Sequence, residues 1–209
     1  MGRWWCAVVA GTLVSLPLAW LLSHAALLPV FLGVFFFALF GLVIGAVMHR
    51  VAAPGRPYPP APLLIGTTIV VLVAFTVSLM QEARDAPRKM ARSASENVRD
   101  IGDRTVPEYM ALVSNEIRDR IREAHPPGGL IGYARWVMVD GVFDKGEIQA
   151  ANLSLRASHR GMWWLGRVAV SAGLLAFGIG SQTLALRLKR DPIVRAVDRE
   201  PLPGTSHAH

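Results

Sequence analysis

The sequence predicts an all-α integral membrane protein: four transmembrane helices, with a mainly helical extramembrane insert between the third and the fourth. Three observations predict it. Four apolar runs, at about residues 5–22, 26–48, 63–80 and 162–186, are each long enough to cross ~30 Å of hydrocarbon as a helix rising ~1.5 Å per residue. The first three contain no Asp, Glu, Lys or Arg, and the fourth contains only Arg167. Residues 81–160 hold 13 Lys and Arg against 12 Asp and Glu, while the rest of the chain holds 9 against 3. Runs of this length in 209 residues cannot share one soluble core.

Residues 1–80 carry the first three spans. Met1-Gly2-Arg3 before an apolar stretch resembles the start of an export signal, and Ser23-His24-Ala25 has the small residues of a cleavage site. The run is longer than a usual signal core, however, and a second run follows at once. A retained helix is expected, bracketed by Trp4, Trp5 and Trp20 as interfacial aromatics. Cys6 is the chain's one cysteine, which excludes an internal disulfide; at the membrane edge it reads as a small apolar residue.

In the second span Gly41-Leu42-Val43-Ile44-Gly45 is a GxxxG, and the fourth span carries Ala172, Ala176 and Gly180 at the same spacing. Small residues four apart let helix backbones approach closely, so these five are the expected packing positions, within one bundle or between copies. The loop at 49–62 holds Pro54, Pro57, Pro59, Pro60 and Pro62, which favour an extended tether and place Pro62 near the start of the third helix.

Charge orients the spans. Both termini and the 49–62 loop share a side that carries Arg3, Arg50, Arg56, Arg187, Lys189 and Arg190, whereas residues 23–25 carry no Lys or Arg. The positive-inside rule then puts the termini in the cytoplasm and residues 81–160 outside, in a plasma membrane of the bacterial inner-membrane kind. Arg84, Arg88, Lys89 and Arg92, just past the third span, act against this orientation.

The insert, 81–160, reads as two amphipathic helices and an aromatic piece. From Arg88, Met90, Ala94, Val98 and Ile101 recur on one helical face; from Val106, so do Met110, Val113, Ile117 and Ile121. Thr105 caps the second helix, which should stop before Pro126-Pro127. Its other face, including Asn115, Glu116, Arg118, Asp119, Arg122 and Glu123, should be solvated. Leu130–Val139 fits a short helix or a strand. Gly141 and Gly146 bracket a turn, and Glu147–Ser158 reads as a helix feeding the fourth span within 161–190. The tail, 191–209, is expected to be disordered.

The two stripes need cover, from each other, the membrane or another protein. Met90, Val98, Ile101, Met110, Val113, Ile117, Ile121 and Trp136 are the expected partner contacts. Arg167, near one end of its span beside Trp163 and Trp164, is expected to snorkel to the interface.

Little points to catalysis. Asp140, Asp144 and Glu147 resemble a calcium loop, but Val142 stands where an oxygen ligand is required, so turn and cap roles are expected. His24, His49, His125, His159, His207 and His209 form no i,i+4 helical pair and no HExxH. No phosphate-binding loop, dinucleotide fingerprint or nucleophile elbow is present. No catalytic residue, metal or cofactor is expected, and the basic excess beside the apolar runs argues orientation rather than nucleic-acid binding.

The reading that follows is a non-enzymatic scaffold or accessory subunit of a membrane assembly. Its expected partners are the lipid bilayer and a protein or second copy met through residues 88–139. A small transporter or channel component is the alternative, with Thr67, Thr68, Thr76, Ser78, Ser171, Gln182 and Thr183 to line a cavity; a sensor of an envelope signal is the third reading.

Overall fold

The computed structural model describes residues 2–25, 30–52, 58–97, 104–157 and 160–188. Among them are six helices and one pair of two-residue strands, and four of the helices are long and apolar enough to cross a membrane. Those four are α1 (Gly2–Ala25), α2 (Val30–Ala52), α3 (Pro60–Asn97) and α6 (Met162–Leu188). Between α3 and α6 come α4 (Val106–Ala124), α5 (Gly129–Val139), β1 (Val142–Phe143) and β2 (Leu155–Arg156). The start of the second expected span, residues 53–57 of the proline-rich loop, Val98, Ile101, His159 and the tail from 191 lie outside the described residues.

The long helices form one bundle in which α1 packs on α2 and α3, and α2 packs along α6. Its core includes Trp4, Ile44, Met48, Val70, Leu175 and Ile179. Trp4 turns into the bundle rather than outward: its indole donates to the Pro62 carbonyl at 2.8 Å and its ring meets Tyr58, tying α1 to the start of α3. Trp5 and Trp20 do face outward.

Three elements differ from expectation. The third apolar run does not end in a separate insert helix; α3 continues through Pro87 to Asn97. Proline removes one backbone donor and usually kinks or ends a helix. Here Met90, Ala91 and Ala94 beyond it are buried in a second core, which holds the last turns in line. Leu130–Val139 falls within a helix, α5. Glu147–Ser158 is not a helix: turns at 145–151 lead into β2, which pairs antiparallel with β1, Phe143 opposite Leu155. The backbone leaves the helical region at Asn152, φ +45°, and just before the segment at Gly146, φ +94°. Ile148, Ala151 and Leu155 still point into the second core.

That second core answers what covers the stripes. α4 crosses α3, α5 closes the gap, and the strand pair seals one side. Trp136 stacks on Phe143 with centroids 4.8 Å apart. Glu116, expected on a solvated face, accepts backbone N–H bonds from Gln149 at 2.6 Å and Ala150 at 3.0 Å, pinning the turn to α4.

Candidate functional site

The position where the two cores meet is built from Glu82, Arg167, Tyr133 and Trp164. Glu82 lies on α3 two residues after the last apolar residue of the run, and Arg167 lies one turn and a half into α6. Because α3 and α6 pack together antiparallel, these charges arrive at the same level. One guanidinium nitrogen, Nη2, donates to both carboxylate oxygens, at 2.6 Å to Oε1 and 2.5 Å to Oε2. The side chains are only 13% and 16% exposed, which makes this a buried ion pair.

Two further donors converge on the same oxygen. The Trp164 indole donates to Oε1 at 3.1 Å and the Tyr133 hydroxyl at 3.3 Å. Tyr133 and Trp164 meet edge to face at 6.5 Å, which fixes both rings around the carboxylate. Burial pushes the Tyr133 phenol far above its ordinary range, and the Glu82 charge adds to that, while Arg167 opposes it. Tyr133 is thus a proton donor, never a phenolate, at any physiological pH. Glu82, on α3, is held by side chains from two other elements, α5 and α6, and the charges cancel within the site. Arg167 Nε and the buried Ser171 hydroxyl one turn along α6 have no protein partner.

Chemically the arrangement is a clamp. Three donors fall on Oε1 and one on Oε2, so the carboxylate is bound chiefly through one oxygen. The clamp's effect is to join α3 and α6 and to fasten α5 onto both.

The expected site residues separate into groups. Met90, Val113, Ile117, Ile121 and Trp136 are buried against one another, and Met110 packs beside them half-buried. They form the second core of the chain. Arg167 is not a lone charge reaching for solvent: Glu82 is its partner. Gly41 and Gly45 do sit in close contact with α6, but Gly41 meets Leu175 and Gly178 and Gly45 meets Ile179 and Gln182, rather than Ala172, Ala176 or Gly180. A Cβ on Gly41 would come within 2.6 Å of the Leu175 carbonyl, and one on Gly178 within 2.7 Å of the Gly41 backbone. Ala172, Ala176 and Gly180 lie half-buried, and Gly180 has open space beside it.

The acidic residues take turn and tether roles. Asp140 pairs with His125 at 2.8 Å, and Glu147 accepts the Asp144 backbone N–H. A cleft of about 540 Å³ opens beside them, lined by three arginines (120, 156, 160) and three carboxylates, so it carries no net charge to select an ion. Among the described residues no group of three His, Cys, Asp or Glu is placed to hold a metal.

Glu82, Tyr133 and Trp164 were not singled out from the sequence. The available signal was a carboxylate at the edge of one apolar run opposite an arginine just inside another. No family model matches the chain, and no curated protein or solved structure is significantly similar to it.

Proposed function

We propose that the chain is a non-enzymatic four-span membrane protein serving as a scaffold or accessory subunit of a membrane assembly. Its termini are cytoplasmic and residues 81–160 extracytoplasmic, where the end of α3, α4, α5 and the strand pair form a rigid platform. The observation that carries this reading is the Glu82–Arg167 clamp, which with the unbroken α3 fastens the platform to two spans at once. A mobile recognition arm would need a hinge where this chain has a buried ion pair. With the apolar stripes consumed by the core, partner contact falls to exposed residues of α4: Leu112 and, further along the helix, Arg118, Asp119, Arg122 and Glu123.

The transporter reading has less support. Thr67 and Thr183 bond each other at 3.2 Å and line one groove of about 840 Å³ whose other walls are mostly apolar, but Thr68 and Thr76 face outward and do not join them. The test is purification of the intact protein in mild detergent, then in lipid nanodiscs. A retained protein partner or stable oligomer is expected, weakened by charge reversal at Arg118 and Arg122. A monomer that holds no partner in either environment overturns the proposal.

A further inference from the structure

The bilayer can be positioned along the bundle from two side-chain contacts. Trp4 bonds the Pro62 carbonyl, so α1 and α3 begin at one level. From Pro62 to Glu82 a helix climbs about 30 Å at ~1.5 Å per residue, the thickness of the hydrocarbon core. Glu82 meets Arg167 there, so the clamp marks the far hydrocarbon edge, where a charged pair with aromatic neighbours is least costly. Trp163 lies one turn nearer the start of α6, about 6 Å further out, which is within the headgroup layer.

At that height the insert presents apolar surface. Trp163 is 83% exposed and Met162 79%. The Gly161 N–H donates to the Val137 carbonyl at 2.9 Å, bringing the end of α5 beside this turn. There Val139 is 74% exposed, with Met138 next to it. None of the four turns toward the second core. We propose that Met138, Val139, Met162 and Trp163 rest in the headgroup layer of the outer leaflet, so that α5 lies against the bilayer and the platform stands on the membrane. This inference rests on the membrane reading above. A tryptophan, a methionine pair and a valine in a single patch suit that layer, which accepts aromatic rings and apolar side chains with polar backbone nearby.

Site-directed spin labelling tests it in the full-length protein, with Cys6→Ser as background, in nanodiscs of phosphatidylcholine and phosphatidylglycerol. Single labels go at Val139→Cys and Trp163→Cys, with Leu72→Cys and Asn115→Cys as references for an outward position mid-α3 and for the open face of α4. The expected result is an oxygen-to-nickel-chelate accessibility ratio at 139 and 163 several-fold above that at 115 and below that at 72. If 72 shows the lipid signature while 139 matches 115, the platform stands clear of the bilayer and the inference fails. If 139 is closed to both probes, a protein covers the patch and the inference also fails. If 72 itself matches 115, the membrane reading falls, and the inference with it.

Discussion

Replacing Arg167 with methionine should expose how much the clamp holds. The variant replaces the apolar stem of the side chain but not the guanidinium beyond it, and leaves the Glu82 carboxylate, 16% exposed, without its cation. Two neutral donors, Tyr133 and Trp164, would remain to it. Removing one partner of a buried pair costs about 3–5 kcal/mol, because the other charge stays buried without compensation. The pair Arg92–Glu96 serves as an internal control: its side chains are 75% and 66% exposed, and an exposed pair is worth about 0–1 kcal/mol. The double variant Arg167→Met with Glu82→Gln removes both charges while keeping an acceptor for the indole and the phenol. It should recover most of the loss, since replacing a buried pair by neutral groups is often close to neutral.

Denaturant unfolding in mixed micelles, followed by tryptophan fluorescence, measures all four proteins. Trp164, bonded to Glu82, is one of the six tryptophans that contribute to the signal. The expected order places the wild type, Arg92→Ala and the double variant close together, and Arg167→Met well below. If Arg167→Met costs no more than Arg92→Ala, or if the double variant is as unstable as the sum of its parts, the clamp is not what joins the two cores.

Three other outcomes follow from the same geometry. Gly178→Ala should destabilise by about 1–3 kcal/mol through overpacking against α2, whereas Gly180→Ala, with open space at its Cβ, should leave the unfolding midpoint unchanged. Ile117→Ala, at a fully buried position of the second core, should cost about 2–5 kcal/mol and shift the Trp136 emission. Glu108 accepts the Thr105 N–H and hydroxyl, each at 2.9 Å, and these bonds hold its carboxyl below the ordinary value of 4.5. A depressed carboxyl pKa contributes stability above the unfolded value and loses it as pH falls through the folded one. Amide protection in the first turn of α4 should therefore drop below pH 4.5, and Glu108→Gln should abolish that pH dependence.

How much of this was legible depends on whether the deciding interaction is local. The four long apolar runs needed only composition, and Thr105 with Glu108 needed only a span of four residues, so both were readable. Periodicity likewise found Val113, Ile117 and Ile121 on one face, but a stripe states that it must be covered and not by what. Met90 and Trp136 supply the cover from elements far away in the chain. The small-residue rule met a similar limit. It located Ala172, Ala176 and Gly180 by spacing, yet which side of α6 faces α2 is a matter of rotation, and Gly178 lies two positions, about 200°, from Gly180. Glu147–Ser158 failed for a different reason: its composition allows a helix, while Asn152 takes a positive φ that only the packing of Ile148 and Leu155 justifies.

The clamp shows where such reading could be pushed further. Arg167 was conspicuous as a charge within an apolar run, and the natural expectation was that it would escape toward water. Glu82 is 85 residues away and unremarkable alone, at the edge of a run where charges normally begin. Counting from the opposite ends of α3 and α6 puts the two at matching depth, and a charge that can be paired at that depth need not escape. A lone arginine inside an apolar run should therefore be tested first against the carboxylates at the ends of its antiparallel neighbours. Here that search would have named Glu82, the residue that ties α3 to α6.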